Sequence, residues 1–416
     1  MQHKCNAMEM VLPMASNPAR PFQPMQKGTH EYYRAILALF FGSLVTFGVE
    51  HCVQPIIPVF TEEFGLQPAT ASLAVSFGIG GMAFAMIAIA CMAKRLPRKE
   101  VMSIALILSS ALAVFITFSE SFDLILLLRL CQGILLAGFP AMAIAYINEE
   151  FDAAIVGAVV GIYVGGTSIG GLAGRLLLSF LTDLFSWRTA LLTLGLAYAI
   201  MGVVFLLTLP KAKHQIDRHS PIAGLHEFHR LLGNRRLVAV YLIALCVMGS
   251  FVCTFNFISY VLLAEPYLLS QTAVGLIFLL NLVGTLSSTV MGRLSDHAGN
   301  GKTVLVSLLC MLAGLILSLA LPLWAKLLGI GVFTYGFFGA HVAACSWAGK
   351  LDPGDKARIS SMYMFFYYVG GSTIGSAGGY FLMHFGWPGI VAFLSAILLA
   401  ALAINWMLLR HEEKTA

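Results

Sequence analysis

The stretch from Lys211 to Arg236, KAKHQIDRHSPIAGLHEFHRLLGNRR, divides the chain into two halves. It is the longest polar interval between apolar runs, and its 26 residues include six Lys/Arg and four His. On both sides lie apolar runs of the length that a helix needs to cross a bilayer, roughly 20 residues. The pattern predicts a water-exposed linker between two membrane-embedded bundles.

The composition excludes a water-soluble fold. Of the 416 residues, 59% are hydrophobic and only 11% are charged, and the mean hydropathy is +0.86. A chain this apolar cannot hide its hydrophobic surface in a soluble core, so we expect an all-α membrane protein with lipid as its solvent. The basic residues behind the net charge of +5 are then expected to mark the loops on the inner side of the membrane, and no nucleic-acid partner is expected.

No motif in the sequence indicates an enzyme. The eight cysteines are scattered, seven of them within apolar runs and none at metal-ligand spacing, so we interpret them as small packing residues. A phosphate-cradling Gly-Lys-Ser/Thr loop, a nucleophile elbow and a nucleotide fingerprint are all missing from the sequence. We therefore expect no catalytic residue, no cofactor and no metal, and an energy source in an ion gradient or in the gradient of the substrate.

Helical periodicity and the length of the apolar runs predict twelve transmembrane helices. They are placed at 34–58, 70–93, 101–119, 122–147, 154–181, 188–210, 236–263, 271–292, 303–321, 324–349, 357–383 and 387–409. The predicted domains are a disordered cytoplasmic tail without a cleavable signal peptide (1–33), an N-terminal six-helix bundle (34–210), a cytoplasmic linker (211–235), a C-terminal six-helix bundle (236–410) and a short cytoplasmic tail (411–416).

Basic residues are distributed unequally between the two sides of the predicted membrane. If both ends are inside, the interior loops and tails hold 21 Lys/Arg, whereas the exterior loops hold only Arg188 and Lys326. Cytoplasmic loops are enriched in Lys and Arg, so both termini are expected in the cytoplasm.

The two halves also repeat each other. The sequence YVGGTSIG at 163–170 is echoed by YVGGSTIG at 368–375, and FSW at 185–187 is echoed by FGW at 385–387. The repeat predicts two pseudo-symmetric six-helix bundles around a site near the bilayer midplane, an architecture that many secondary transporters use.

Several segments between about Arg34 and Arg410 resemble the major facilitator superfamily, in particular its twelve-span drug/proton antiporter group and the YnfM-like inner-membrane transport proteins of bacteria. The segments are QPIIP at 54–58, GRL at 174–176, SWR at 186–188, MGSF at 248–251, GFF at 336–338 and AH at 340–341. The resemblance implies the major facilitator fold, alternating access around a central cavity and a place in the bacterial inner membrane. It also implies a monomer whose partners are a small-molecule substrate, protons and membrane lipid.

Ionisable side chains within membrane spans cost from about 2.5 kcal/mol upward, so they usually face a cavity or a partner. Glu50 and His51 lie in the outer half of the first span, just before Gln54 and Pro55. A poorly solvated cavity favours a protonated carboxyl group, and imidazole titrates near neutral pH, so the two residues are candidate proton carriers. The alternative is a Glu50 that stays hydrated near the outer lipid boundary.

Arg129 in RLCQG at 129–133 resembles the superfamily's fourth-helix motif, an Arg followed by Gln-Gly, whose basic residue is implicated in proton coupling. A fixed guanidinium would hold a nearby carboxylate ionised until the two groups separate. The alternative is an Arg bound by backbone carbonyls at a helix break.

Arg175, in the fifth span, is expected either to pair with Asp183 or to extend toward the lipid headgroups.

Polar side chains near the middle of the spans, among Phe and Met, suit a mostly apolar pocket with a few polar anchors. By resemblance the first, fourth, seventh and tenth spans line the cavity, so His341 either binds substrate or a proton there or is hydrogen-bonded inside the bundle. The predicted substrate cavity comprises Gln54, Gln132, Asn256, Tyr260, Asn281, His341, Tyr363 and Tyr367.

The fifth span contains GTSIGG at 166–171, which resembles the antiporter motif Gly-Pro-x-x-Gly-Gly with Thr167 in place of the proline. Glycines at this spacing let two helices approach closely and slide, but the missing proline weakens the inference of antiport. The predicted packing glycines are Gly166, Gly170, Gly171, Gly371 and Gly375.

Interior gates are predicted from charged loops. The superfamily's latch between the second and third spans is degenerate, with Lys94 where the resemblance implies an Asp. In the second half, GRLSDHAG at 292–299 follows the latch motif well, with Asp296 at the position of the latch Asp. Asp296 is therefore the stronger candidate for a gating carboxylate. The acidic NEEFD at 148–152 either engages the basic loops or is a solvated helix end. The predicted gating residues are Asp296, Arg293, Glu149, Glu150 and Arg98.

These features predict proton-driven export of a small organic or drug-like molecule by alternating access. Because of Thr167, uptake of a sugar, organic acid or amino acid by symport remains an alternative. A more remote alternative is a sensor that keeps the transporter scaffold without moving solute.

Overall fold

The computed structural model describes residues 24–92, 95–213, 225–352 and 356–415, a part of the chain that is almost entirely helical apart from one isolated bridge between Met25 and Phe151. Eleven of its helical segments are long and apolar enough to cross a membrane. The first ten are α1 (His30–Phe64), α2 (Pro68–Met92), α3 (Arg98–Ile116), α4 (Phe122–Glu150), α5 (Val156–Leu184), α6 (Trp187–Thr208), α7 (Arg235–Leu263), α8 (Gln271–Ala298), α9 (Asn300–Leu317) and α10 (Leu323–Leu351). A short linker helix, Leu225–Leu232, lies between α6 and α7.

The eleventh segment contains two helices. The helical stretch Lys356–Thr415 is interrupted at Gly386, whose φ of 63° and ψ of −156° favour glycine. The rings of Phe381 and Phe393 stack with centroids 4.4 Å apart, whereas twelve residues of straight helix would separate them by about 18 Å. The chain therefore folds back into α11 (356–385) and α12 (387–415), and the prediction of twelve crossings is confirmed.

The first helix begins earlier than the sequence predicts. Thr29 caps it by accepting a hydrogen bond from the Tyr32 backbone N–H at 3.2 Å, so α1 starts at His30 instead of residue 34. Residues 1–23 of the predicted tail, 214–224 of the predicted linker and Lys94 lie outside the described residues.

Two helices contain 3₁₀ turns at the level of the predicted site. The first part of α1 ends at His51, a 3₁₀ turn covers Gln54–Ile56, and the α-helix resumes at Ile57. Pro55 and Pro58 lack backbone N–H groups, which explains the break. In α8 a similar turn covers Ile277–Leu282.

Glycines allow one close helix contact in each half. A Cβ on Gly170 of α5 would lie 2.2 Å from the Leu44 carbonyl oxygen of α1, and one on Gly166 would lie 2.6 Å from the Phe40 oxygen. In the second half a Cβ on Gly370 of α11 would lie 2.0 Å from the Leu245 oxygen of α7. Only glycine permits these backbones to approach so closely.

The other predicted packing glycines have different neighbours. A Cβ on Gly171 would meet the Arg175 guanidinium at 3.3 Å, and one on Gly371 would meet Met248 at 3.3 Å. A Cβ on Gly375 would lie 2.7 Å from Val252 of α7. Gly375 therefore allows close packing of α11 on α7 as well.

Twelve crossings place the start of α1, the linker helix Leu225–Leu232 and the end of α12 on one face, here called the terminal face. The opposite, distal face carries the turns at 65–67, 117–121, 185–186, 264–270, 318–322 and 386. Between the halves, Ser372 of α11 donates a hydrogen bond to the Ser76 carbonyl oxygen of α2 at 2.8 Å. The hydroxyl groups of Ser76 and Ser376 are hydrogen-bonded to each other as well.

Candidate functional site

A buried arginine lies at the centre of the N-terminal half. Arg129 is 1% exposed, and its Nε donates to the Ala74 carbonyl oxygen at 2.8 Å. Its Nη1 donates to the Val49 oxygen at 3.2 Å and to Gln132 Oε1, and its Nη2 donates to the Glu50 backbone oxygen at 2.7 Å. The guanidinium therefore joins α4 to α1 and α2 through groups that carry no net charge.

The Glu50 carboxyl group lies beside this guanidinium. Glu50 is 1% exposed, and neither carboxyl oxygen has a hydrogen-bond partner among the described residues. A Cβ on Gly78 would lie 2.7 Å from Arg129 Nη2 and 3.1 Å from Glu50 Oε1, so both groups flank the same glycine. Carbonyl oxygens therefore hold the cation and an acidic group lies next to it, and a role of Arg129 in proton coupling stays a prediction.

Gln132 positions Arg129 within the N-terminal half. Its amide oxygen accepts from Arg129, its Nε2 donates to the Ser109 carbonyl oxygen at 2.7 Å, and the side chain is buried. The sequence predicts Gln132 as a cavity residue, but its hydrogen bonds are made between α4 and α3. Its role in substrate binding stays a prediction.

Arg175 does not do what either sequence-based interpretation expects. It is 5% exposed, so it does not extend toward headgroups, and Asp183 instead accepts from the Thr272 hydroxyl at 2.5 Å. The Arg175 guanidinium donates to Gln54 Oε1 at 2.9 Å and lies 4.9 Å from the centre of the Phe278 ring in α8. The reason is its position on the glycine face of α5, which packs against α1.

His51 lies on the same side of α1 as this arginine. A Cβ on Gly171 would lie 3.8 Å from His51 Cδ2 and 3.3 Å from Arg175 Nη1. The His51 ring centroid is 6.1 Å from that of Phe47. The imidazole is half-buried between α1 and α5.

Gln54 links the two halves near the distal face. Its Nε2 donates to Asn256 Oδ1 of α7 at 2.9 Å, while its Oε1 accepts from Arg175. The Asn256 Nδ2 donates onward to the Gly375 carbonyl oxygen of α11 at 3.1 Å. We call Arg175, Gln54 and Asn256 the distal relay, because their side chains connect α5, α1, α7 and α11 in sequence.

Further contacts close the distal face around the relay. Thr61 and Tyr260 share a hydrogen bond of 2.5 Å between their hydroxyls, and Gln271 Nε2 donates to the Pro55 carbonyl oxygen at 2.8 Å. The sequence does not predict Thr61 and Gln271 as site residues, since a lone polar residue at a helix end has no distinguishing pattern. The predicted cavity residue Tyr260 thus belongs to the distal closure in this conformation.

The C-terminal half carries an aromatic cluster around His341. The His341 ring centroid is 4.6 Å from Tyr367 and 6.3 Å from Phe337, which is nearly parallel to it at 7°. His341 Nδ1 lies 3.0 Å from the Tyr363 hydroxyl oxygen, and that hydroxyl lies 3.2 Å from the His341 carbonyl oxygen. Three of the predicted cavity residues therefore come together on α10 and α11.

A cavity of about 320 Å³ opens between α10 and α11 on the terminal side of this cluster. It is lined by Cys345, Ser346, Gly349, Lys350, Ile359 and Ser360. Asn281, also predicted for the cavity, lies in the 3₁₀ turn of α8, and its Oδ1 is buried without a partner among the described residues.

The predicted gating residues divide into paired and exposed ones. Arg98 forms a two-point ion pair with Glu149, at 2.7 Å and 3.0 Å, which joins α3 to α4. Glu150 Oε1 accepts from the backbone N–H of Lys213 at 2.8 Å. These contacts lie within the N-terminal half and its flanking linker.

Asp296 and Arg293 are exposed at the terminal end of α8 and make no ion pair within the described residues. A partner for Asp296 in a terminally closed state stays a prediction. Lys94, at the degenerate latch position, lies outside the described part of the chain.

Comparisons with known proteins agree with this architecture. A family model for the major facilitator superfamily matches residues 39–348 and, again, 240–416. The MFS-type transporter YybF of Bacillus subtilis is 36% identical over 392 residues, covering 94% of this chain and 96% of that protein. The inner membrane transport protein YnfM of Escherichia coli is 36% identical over 394 residues, 94% of each chain.

The fold also matches a solved transporter. A bacterial homologue of the human lysosomal transporter Spinster, in an inward-facing and unoccupied conformation, aligns with a TM-score of 0.77 at 17% identity, covering 92% of this chain and 98% of that one. Together with the duplicated twelve-helix bundle and the full-length relatives, these matches show a multi-pass membrane protein. The chain belongs to the major facilitator superfamily and is a secondary transporter, not an enzyme.

Proposed function

We propose that the protein exports a small organic molecule in exchange for protons, with Glu50 as the proton carrier. The observation that carries this proposal is the Glu50 carboxyl group, which is buried without a hydrogen-bond partner in the described part of the chain and flanks Gly78 together with Arg129. A membrane-embedded ionisable group in such a position is a functional site by default. Glu50 is also the one acidic residue placed deep within the predicted spans, since the others lie near their ends.

The distal relay supplies the gate. Opening the distal face separates Gln54 from Asn256 and Arg175 from Phe278, because these pairs join opposite halves. Glu50, four residues before Gln54, then meets water from the distal side and exchanges its proton there. Closure returns the carboxyl group to the buried position, and opening of the terminal face completes the cycle.

The charge distribution supports an orientation. The loops and tails of the terminal face hold 21 Lys/Arg, which supports a cytoplasmic terminal face and an outward distal face. The similarity to the inner membrane protein YnfM supports the bacterial inner membrane as the location. The resemblance of the fifth helix to the antiporter motif supports export.

Proton coupling can be tested in everted membrane vesicles that contain the protein. A substrate is first found by comparing the drug sensitivity and metabolite profile of cells with and without the gene. Adding it to vesicles acidified by respiration should dissipate part of the pH gradient. If collapse of the proton gradient leaves transport unaltered, the coupling proposal is wrong.

Uptake by symport is a second candidate because of Thr167. Its hydroxyl donates to the Val164 carbonyl oxygen at 2.7 Å within a regular helix, at the position where the antiporter motif has proline. Gene-dependent accumulation of a labelled sugar, organic acid or amino acid by whole cells would favour uptake over export.

A further inference from the structure

Two seams join the halves, and they differ in length. Between α2 and α11 the contact begins near the distal face, where a Cβ on Gly379 would lie 2.4 Å from the Ala69 backbone. It continues to Phe84 and Phe365, whose ring centroids are 5.5 Å apart. Because the helix between Ala69 and Phe84 is about 22 Å long, this seam is closed over most of the hydrocarbon depth of about 30 Å.

Between α5 and α8 the contact is confined to the distal side. Asp183 accepts from the Thr272 hydroxyl at 2.5 Å. Nearer the middle of the membrane, the Arg175 guanidinium lies over the Phe278 ring at 4.9 Å, and these two contacts span about 12 Å of α5. Beyond the 3₁₀ turn that ends at Leu282, α8 packs mainly on α9 and α10. The second seam therefore opens toward the terminal face.

Three glycines continue the α8-facing surface of α5 toward the terminal face. Each lies 18 residues, or five helical turns, before one of the residues that meet α8, which are Arg175, Ser179 and Asp183. The glycines are Gly157, Gly161 and Gly165. A Cβ on any of them would meet no neighbouring side chain or helix within 4 Å in the described part of the chain. This wall of the open seam is therefore bare backbone.

The facing surface of α8 is open as well. A 3₁₀ helix has three residues per turn, so Asn281 lies on the same face as Phe278. The Asn281 Oδ1 has no hydrogen-bond partner among the described residues, and Thr285, one turn further, is exposed. A gap with amide and hydroxyl groups on one wall therefore separates α8 from α5 in the half of the membrane nearer the terminal face.

The mouth of this gap borders hydrocarbon. Leu282 and Leu286 of α8 are 54% and 61% exposed, and Ile169 of α5 is 49% exposed. Large apolar side chains exposed side by side mark a surface that contacts membrane or another apolar partner. A molecule that crosses this mouth and then meets Asn281 and Thr285 must both dissolve in acyl chains and form hydrogen bonds, so it is amphipathic.

We infer that the gap between α5 and α8 is a lateral portal through which an amphipathic molecule dissolved in the terminal leaflet, the one at the terminal face, reaches the space between the halves. The inference rests on the proposed function, because the molecule that uses the portal is the transported one. It adds the route, which starts in the bilayer instead of in water. The portal lies on one side of the molecule only, since the seam between α2 and α11 stays closed.

The test is photochemical capture from the membrane. The photoreactive residue p-benzoylphenylalanine replaces Thr285 in the full chain, which is reconstituted in phosphatidylglycerol and phosphatidylcholine liposomes that contain N-phenyl-1-naphthylamine, a membrane-soluble amine. Adducts are identified by mass spectrometry after irradiation. The same residue at Leu286 marks the lipid-facing surface, and at Gln67, in a distal turn, it marks water.

Position 285 should capture both phospholipid and the naphthylamine. We expect a yield about tenfold above that at position 67, because acyl chains do not extend into the aqueous turns. A yield at position 285 no higher than at position 67 would overturn the portal. Photochemical capture uses no proton gradient, so failure of coupling in vesicles and failure of the portal give different results.

A second variant shows whether the molecules arrive through the gap. Gly165→Leu places a side chain on the open wall of α5 and should lower capture at position 285 severalfold while leaving capture at position 286 unchanged. Leu177→Phe is the matched control, since Leu177 is exposed and lies about 120° away around the axis of α5. Capture at position 285 that persists in Gly165→Leu contradicts the inference, and capture at position 286 verifies that the variant is folded in the membrane.

Discussion

The two halves of the molecule share a scaffold and differ in chemistry. Both use glycines to bring the repeat-bearing helix, α5 or α11, against α1 or α7. The N-terminal half embeds Glu50, Arg129 and Arg175, whereas the corresponding depth of the C-terminal half holds tyrosines, phenylalanines and His341. The two halves therefore share their packing surfaces and differ in the polar groups that they bury.

The largest effect is expected from Arg129→Gln. The substitution removes charged hydrogen bonds to buried carbonyl oxygens of α1 and α2, each worth about 1.5–3 kcal/mol, and removes the cation beside Glu50. Gradient-driven transport in vesicles should fall by at least about a hundredfold. Membrane insertion should persist. Transport near the wild-type rate would show that Arg129 is not needed for coupled transport.

Glu50→Gln should uncouple transport while sparing the fold. The amide keeps the shape of the carboxyl group but cannot carry a proton, so substrate should still equilibrate down its own gradient while accumulation is lost. Substrate counterflow and pH-driven uptake, measured in the same proteoliposomes, separate the two outcomes. Glu62→Gln, an exposed residue on the same helix, is the matched control. If both variants accumulate substrate normally, Glu50 is not the proton carrier.

Alanine at the close-contact glycines tests the shared scaffold. Gly170→Ala and Gly370→Ala would each place a Cβ far inside van der Waals contact with a backbone oxygen of the partner helix, at 2.2 Å and 2.0 Å. Overpacking of this kind typically costs about 1–3 kcal/mol, so both should lower the Tm in detergent by similar amounts. Gly165→Ala, with nothing within 4 Å of its Cβ, should leave the Tm unchanged. A drop for one half only would show that the scaffolds are not equivalent.

A smaller effect is expected at the junction between the halves. Gln54→Leu removes hydrogen bonds to Asn256 and Arg175, worth about 1–3 kcal/mol together, and should shift the population toward the distal-open state. Spin labels at Glu120 and Ala320, in distal turns of opposite halves, would report a longer distance by pulsed EPR. Gln67→Leu, exposed in a distal turn, is the control. An unchanged distance distribution would mean that other contacts hold the distal face closed.

Much of the fold follows from the sequence because it depends on local quantities. The length and apolarity of each run set the number of crossings, and the FGW turn at 385–387 correctly separates α11 from α12. The repeated YVGG segments lie on α5 and α11, the helices that make the close glycine contacts. The embedded ionisable residues are found equally well, since a charge in an apolar run stands out.

The partners of those residues could not be found in the same way. Arg175 donates to Gln54 instead of pairing with Asp183, Gln132 accepts from Arg129, and the Tyr363 hydroxyl contacts His341 Nδ1. Each of these facts depends on how a helix is rotated about its axis. Helical periodicity says which residues share a face but not which neighbour that face meets.

The sequence alone therefore determined a membrane-embedded, duplicated twelve-helix transporter and the short inventory of ionisable groups inside it. Only the tertiary structure decided that the Glu50 carboxyl group lies beside Arg129 without a hydrogen-bond partner among the described residues, and that the Arg175, Gln54 and Asn256 relay closes the distal face. The physical reason is that burial and length act along one helix, whereas these contacts join side chains as many as 202 positions apart in the chain.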